Sequence, residues 1–376
     1  MKRAVLLTGH FAHQKRKGSM LWIADGLNEM GWHVTLVSVG YSWSSFLRPD
    51  GRLAALDRWP RGGRTELSPL RTSLFHLTPV HPIALGHVGL DRLVEAVQTP
   101  LFVWPWRAAL AGPLRQADLV VIESGAPLLL APMVRDVAPK ATRIYRVNDD
   151  LSLIKAPRWL VKRESALAMT CDRVSTGSRV LASRFVDHPN VTLDGMGVPR
   201  AIIEQQRPDP FGARWPVEVV CAGTTQIDMA AVTRLAGDHP RWRFHIFGRL
   251  KAKAAQARNL ICHGEQPFEV VLAHIAHATL ALAPFQDREG IAYQADHSNR
   301  VLLYRHFGLP ILAPPGLCAV DPAMIDYTDA AATRGAPQRP KIPQAQPDWR
   351  DLAARLVQNA PMLPAPDATS EPAMVV

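Results

Sequence analysis

Cysteine is scarce in this chain: Cys171, Cys221, Cys262 and Cys318 are the only four in 376 residues, and they lie dozens of positions apart. None shares the short spacing of a zinc ribbon and no disulfide framework can be drawn, so they read as scattered apolar fillers in a reducing compartment. Long apolar runs are missing too. None reaches the roughly 18 residues a membrane-spanning helix needs. The start, Met1-Lys2-Arg3-Ala4-Val5-Leu6-Leu7-Thr8-Gly9-His10, is too briefly apolar for a signal peptide, leads into Lys15-Arg16-Lys17 and meets no small-residue cleavage site. It reads instead as a first buried strand, in a protein of the cytosol or of the cytosolic face of a membrane. The Gly-x-Gly-x-x-Gly fingerprint is absent after it, which argues against NAD binding. No short-period repeat is visible.

Acidic residues are outnumbered: 33 Asp and Glu face 43 Lys and Arg, a formal net charge of +10. That excess points to anionic partners, namely nucleic acid, a lipid surface or phosphorylated small molecules. Residues 1–117 alone hold 14 Lys and Arg against 7 Asp and Glu. Most of the excess is therefore in the first third, as a face meeting anionic lipid would show. A nucleic-acid-binding protein ranks third, because the basic residues are not interleaved with aromatics in a known binding module.

What is present suits a folded enzyme. An apolar share of 47% and a charged share of 20% sit near globular averages, and the length suggests two domains. Short apolar runs alternate with helical patterns, the mark of parallel α/β units. The first half offers strands at Ala4–Leu7, His33–Val39, Leu119–Ile122 and Arg143–Val147, with a helix over Ser19–Met30 closed by Gly31. The second offers strands at Val217–Cys221, Trp242–Phe247, Asn259–Cys262, Thr279–Ala283 and Pro310–Ala313, with helices at Phe268–His277 and Ser298–Phe307. Prolines and glycine at Arg207-Pro208-Asp209-Pro210-Phe211-Gly212 mark a hinge. The expected units are residues 1–206, an acceptor-binding, membrane-associated Rossmann-like domain, and 213–335, a nucleotide-sugar-binding one. Residues 336–376 follow as a Pro-rich linker, a crossing helix over Asp348–Asn359 and a disordered tail.

Ligands of open parallel sheets bind beyond the carboxyl ends of strands. There Asn148-Asp149-Asp150-Leu151-Ser152 follows the strand ending at Val147. Either Asp149 caps a turn, or it is a general base that takes the proton of an attacking sugar hydroxyl. Glu123-Ser124-Gly125 follows another strand; Glu123 is a second cleft carboxylate, or a cap or partner of an arginine. Lys15, Arg16 and Lys17, with His10 and His13, are a solvated run or a cradle for a diphosphate. Gly223-Thr224-Thr225 opens a helix-like segment whose backbone N–H groups suit a phosphate. In Tyr293-Gln294-Ala295-Asp296-His297-Ser298-Asn299-Arg300, Ser298 or His297 would cap a helix and Arg300 would clamp an anion. Phe102, Trp104 and Trp106 with Arg107 and Arg115 form an aromatic, basic patch, either core packing or an interface anchor.

These segments resemble the xanthan-type glucuronosyltransferase family, similar to glycosyltransferase family 70. The resemblance runs from about Leu6 to Val320. It is carried by Val121-Ile122-Glu123-Ser124-Gly125, Tyr145-Arg146-Val147-Asn148-Asp149-Asp150-Leu151-Ser152, Gly195-Met196-Gly197-Val198, Phe244-His245-Ile246-Phe247-Gly248, and Ala295 to Arg300 through Phe307-Gly308-Leu309-Pro310. It implies a GT-B fold, two Rossmann-like domains facing across a cleft. It also implies an inverting, metal-independent enzyme at the inner membrane that moves glucuronic acid from UDP-glucuronate to a polyprenyl-diphosphate-linked oligosaccharide in exopolysaccharide biosynthesis. No cofactor or metal is expected. Asp149 matches the family's base and His10 its histidine after the first strand. Gly223, Gly264-Glu265, Tyr293, Ser298 and Arg300 match its donor contacts, to which Thr224, Thr225 and Asn299 are adjacent. Thr225 and Asn299 stand where the family has Met, Leu303 where it has Gln, Arg300 where it has Lys, and Asp150 where it has Gly. The alternatives are a GT-B enzyme for UDP-glucose or GDP-mannose, or a non-catalytic basic binding protein. A retaining enzyme is disfavoured, since the Glu pair of its donor loop is not matched by Glu289 and Asp296.

Overall fold

The structure, a computed structural model, describes residues 1–13, 17–42, 62–79, 91–154, 156–250, 257–333 and 342–358. The chain builds two sheets. The first has eight strands: β1 (Arg3–Thr8), β2 (His33–Ser38), β3 (Gly63–Ser68), β4 (Arg71–Phe75), β5 (Leu119–Glu123), β6 (Thr142–Val147), β7 (Arg173–Thr176) and β8 (Val191–Leu193), in the order β3-β4-β2-β1-β5-β6-β7-β8. Every pairing is parallel except β3 with β4. The second has six: β9 (Val217–Ala222), β10 (Trp242–Phe247), β11 (Leu260–Gly264), β12 (Leu280–Leu282), β13 (Ile311–Ala313) and β14 (Ile325–Asp326), in the order β11-β10-β9-β12-β13-β14, all parallel. Central strands such as Leu119-Val120-Val121-Ile122 are buried along their length, as expected where helices cover both faces of a parallel sheet.

The longer helices are α1 (Ser19–Glu29), α2 (Asp91–Arg115), α3 (Arg158–Ala168), α4 (Met229–Asp238), α5 (Phe268–His277), α6 (Asn299–His306) and α7 (Trp349–Val357). Gly31 has a φ of +78°, the left-handed conformation that glycine adopts most cheaply after a helix. α7 returns to the N-terminal unit and lies against α1. An added Cβ on Gly26 would stand 2.7 Å from the Ala353 Cβ, so only glycine permits this approach. Asp348 and Asp351 form a capping box at the start of α7. At its end, the Arg173 guanidinium donates to the carbonyls of Leu356 and Gln358, both at 2.9 Å. These bonds satisfy carbonyls that the helix leaves free.

The two units share one seam. A continuous apolar cluster runs from Leu6, Val34 and Val121 through Val198 and Trp349 to Val220, Phe285 and Val301. Tyr293, from the second unit, is wholly buried and belongs to the apolar core of the first. In α2, Phe102 and Trp106 are core residues, whereas Trp104 is 70% exposed. The patch expected there is thus split between packing and surface. Residues 334–341 and 359–376 of the expected linker and tail lie outside the described residues.

Candidate active site

β1, β5 and β6 end side by side, and each brings a polar group to the same place. Glu123, last in β5, is buried. One of its oxygens accepts from Thr8 Oγ1 at 2.5 Å and the Gly9 N–H at 3.0 Å; the other accepts from Asn148 Nδ2 at 2.8 Å, with His10 Nε2 at 3.5 Å. Burial pushes its pKa up, but the His10 charge and hydrogen bonds from His10, Thr8 and Asn148 outweigh burial and hold it at about 2. Glu123 is therefore a permanent anion, and its partners are not arginines.

Asp149 sits beside it. Its N–H donates to Ser124 Oγ at 3.2 Å and its Oδ1 accepts from the Tyr293 hydroxyl at 3.3 Å. Burial, then the Glu123 charge, push its carboxyl up to about 7, against the opposing pull of the Tyr293 hydrogen bond and His10. Two neighbouring carboxylates driven in opposite directions are suited to acid–base chemistry, and a pKa near 7 is what a general base needs at neutral pH. The turn is shaped by Asp150 instead. Its Oδ1 accepts from the Ser152 N–H at 2.8 Å and the Ser152 hydroxyl at 2.6 Å, and Arg184 Nη1 lies at 3.1 Å. The capping alternative thus belongs to Asp150, leaving Asp149 for the cleft.

Glu123→Gln tests the coupling between the carboxyls. Removing the charge that raises the Asp149 pKa moves the pH limb of kcat to lower pH. A limb that stays in place contradicts the coupling.

Sequence reasoning did not single out Arg146 as a site residue. Its side chain is wholly buried beneath the site. Nε donates to Asn148 Oδ1 at 3.1 Å, Nη1 to Ser175 Oγ at 3.0 Å and Nη2 to the Gly195 carbonyl at 2.5 Å. This holds the Asn148 amide so that Nδ2 faces Glu123. Burial lowers the Arg146 pKa to about 10, so it stays cationic. A charged residue inside the apolar run Ile144-Tyr145-Arg146-Val147 was the signal. His297, facing it from the second unit, is held neutral: burial, then the Arg146 charge, lower its pKa to about 3.

Gly223, Thr224 and Thr225 follow β9 and Glu265 follows β11, whereas Ser298, Asn299 and Arg300 open α6, from which Arg300 reaches back to Thr225. Gly223, Gly248 and Gly264 all have positive φ, at +99°, +122° and +69°. A Cβ on Gly248 would stand 3.0 Å from the Thr224 side chain, whose hydroxyl donates to the Arg249 carbonyl at 2.8 Å. The helix does not open at Gly223, as expected from sequence, but at Met229, where Asp228 accepts from the Ala231 N–H at 3.0 Å. Gln226, with a φ of +55°, breaks the chain in between. Ser298 occupies the N-cap position of α6, but its side chain makes no capping hydrogen bond there, a second correction. Arg300 is buried: Nη2 donates to the Thr225 carbonyl at 2.8 Å, the guanidinium lies 4.3 Å from the Phe285 ring, and Nη1 has no hydrogen-bond partner. Glu265 is ion-paired with Arg249 at 2.7 Å, and Asn299 is exposed.

Other candidates fall elsewhere. Lys15 and Arg16 lie outside the described residues. Lys17 pairs with Asp25 at 2.6 Å and lies over Trp22, lining a surface cleft of about 680 Å³ between α1 and α7 with Arg71 and Trp349. Tyr293 is buried against Asp149, so in this structure it plugs the seam. Leu303 packs into the shared core.

Two Rossmann-like units meeting at a base-like carboxylate, with a buried cation and glycine turns across the seam, define a GT-B glycosyltransferase. Comparison with known proteins agrees. Residues 6–177 match the family described as "Glucuronosyltransferase GumK, N-terminal domain". The UDP-glucuronate:glycolipid 2-beta-glucuronosyltransferase of Xanthomonas campestris pv. campestris is 25% identical over 94% of this chain and 88% of its own. Among solved structures, the N-terminal domain of Candida albicans trehalose-6-phosphate phosphatase superposes with a TM-score of 0.59 at 11% identity, over 95% of this chain and 92% of its own. A trehalose-6-phosphate protein from E. coli bound with UDP-2-fluoro glucose does so at 0.53 and 12% identity, over 94% of each chain. These show the fold. The chain is a glycosyltransferase, and it is similar to the GumK-type glucuronosyltransferases over residues 6–177.

Proposed function

We propose that the chain transfers glucuronic acid with inversion from UDP-glucuronate to a hydroxyl of a polyprenyl-diphosphate-linked oligosaccharide in exopolysaccharide biosynthesis. The observation that carries this reading is the Asp149 carboxyl, poised near neutral pH at the seam. Asp149 takes the proton of the acceptor hydroxyl as its oxygen attacks the anomeric carbon and the bond to UDP breaks on the opposite face. The departing diphosphate gains negative charge, which Arg300 and the N–H groups around Gly223 stabilise; no divalent cation is assigned to this step. The curated relative acts on UDP-glucuronate and a glycolipid by its name, which supports both substrate classes. A non-catalytic binding protein gains no support from a carboxyl held at about 7. The test is transfer of labelled sugar from UDP-glucuronate, UDP-glucose or GDP-mannose to a lipid-diphosphate-linked acceptor.

We further propose that the protein works as a peripheral protein on the cytoplasmic face of the inner membrane. No helix among the described residues is long and apolar enough to cross a membrane. α2 instead exposes Leu93, Val97, Leu101 and Trp104 at spacings that place them on one helical face, with Arg107 and Arg115 further along. Such a face suits insertion into the headgroup boundary with basic residues on anionic lipid. Arg48, Arg52, Arg58 and Arg61, part of the basic excess of the first third, lie outside the described residues. Trp104→Glu should weaken flotation with phosphatidylglycerol vesicles by about tenfold, as expected from losing one buried aromatic side chain. Unchanged flotation would remove α2 as the contact.

A further inference from the structure

His245, His263 and His274 come from three elements of the second unit: β10, β11 and α5. One ligating nitrogen from each falls within 4.8 Å of the other two, and no other trio of potential metal ligands among the described residues meets this geometry. Buried His188, by comparison, has a backbone carbonyl at each ring nitrogen, Asn190 at 3.0 Å and Cys171 at 3.2 Å. Here the outward partners of His245 and His274 fix two lone pairs on the side that His263 faces. His245 Nε2 lies 3.0 Å from Glu218 Oε2, a carboxylate that can only accept, so Nε2 carries the hydrogen and Nδ1 presents its lone pair. His274 Nδ1 lies 2.8 Å from the Val270 carbonyl, which likewise accepts only. That leaves His274 Nε2 as the lone pair. His263 Nε2 lies 2.9 Å from His245 Nδ1 and must donate to it when no ion is bound; a tautomer switch to Nδ1–H frees that nitrogen for an ion.

We propose that these three histidines form a zinc-type site that ties β10 and β11 to α5, with a water or other exogenous ligand in the fourth position. The groups that would orient the ligands are already in place. A carboxylate behind one ligand and a backbone carbonyl behind another are the usual orienting partners of metal-bound histidine. Glu218 is itself held by Arg243 Nη2 at 2.6 Å and by the Trp215 N–H at 2.9 Å. Three histidines with no cysteine suit Zn²⁺, and also Co²⁺ or Ni²⁺, better than the hard cations Mg²⁺ and Ca²⁺. His263 is half-buried, which gives the ion an entry path, and it immediately precedes the Gly264-Glu265 turn on the donor side. The ion would therefore brace that turn without touching Asp149. Cys262 points away along the same strand, by the alternation of β residues.

The experiment uses the full chain without a histidine tag, titrated with Zn²⁺ alone by calorimetry and with Co²⁺ by visible absorption. The expected result is one Zn²⁺ per chain, with the intense absorption of tetrahedral Co²⁺. His263→Gln and His274→Gln should each weaken binding by about a hundredfold, and Cys262→Ser should leave it unchanged. Because His274 is buried and its replacement can unfold the chain, His263→Gln carries the decision, with circular dichroism as the check on folding. Absence of saturable Zn²⁺ binding overturns the proposal. So does binding that survives His263→Gln, or binding that is lost in Cys262→Ser alone.

Discussion

Replacing Asp149 by Asn lowers kcat by about 10²–10⁴-fold, the usual worth of a positioned general base, while UDP affinity stays within a small factor. Asn keeps the size and the hydrogen bond from Tyr293 but cannot take a proton. The wild-type rate should rise as pH passes through about 7, where Asp149 ionises in the folded protein, and the variant should lose that limb. Stability carries the same signature with opposite sign. A carboxyl whose folded pKa lies above its ordinary value binds its proton more tightly when folded. Its contribution therefore favours the folded state at low pH and is lost as pH rises from the unfolded value near 4 toward 7. Asp149→Asn, permanently neutral, should accordingly raise the melting temperature at pH 8 and leave it nearly unchanged at pH 4. Lost activity with gained stability is the combination expected of a functional residue, and a structural cap would lose both.

Arg300→Gln is expected to lower kcat/KM by about 10²–10³-fold, in line with the removal of one preorganised donor to a developing anion. The guanidinium is anchored by the Thr225 carbonyl and the Phe285 face, and its Nη1 is buried without a partner. A buried unpartnered N–H costs free energy in the empty protein, and an anionic ligand is the group that removes that cost. Arg300→Lys keeps the charge but loses the planar fork, so it should fall between wild type and Arg300→Gln. Equal losses for Lys and Gln would mean that geometry rather than charge decides. Full activity in Arg300→Gln would remove the residue from the donor site.

Much of the frame was legible because buried parallel strands announce themselves as short apolar runs. β1, β2, β5, β6, β9 and β10 lie within a residue or two of the positions read from sequence. The β3–β4 hairpin was not, since Arg64, Glu66 and Ser68 alternate with half-buried residues on a polar edge strand. α2 was read only as a patch; Pro100, Pro105 and Pro113 lie within it, and proline normally argues against a helix interior. At the site, residue types at strand ends pointed to Glu123 and Asp149, and the start of a helix pointed to Arg300. Their partners are long-range: Thr8 reaches Glu123 across 115 positions and Tyr293 reaches Asp149 across 144. No local pattern encodes such a pairing. The same limit explains why Tyr293 reads as a donor residue in sequence and as a seam residue in the fold, and why three histidines spread over β10, β11 and α5 went unremarked.

The central claim is glucuronosyl transfer by Asp149, and the most direct measurement is turnover with a panel of donors at pH 7.5, with and without added Mg²⁺. Wild-type protein should transfer sugar from UDP-glucuronate to a polyprenyl-diphosphate-linked oligosaccharide at least tenfold faster than from UDP-glucose or GDP-mannose. The product should carry an inverted anomeric centre, Mg²⁺ should not change the rate, and Asp149→Asn should be slowed about a hundredfold or more with every donor. Faster transfer from either of the other donors, or transfer by Asp149→Asn at the wild-type rate, would contradict the account.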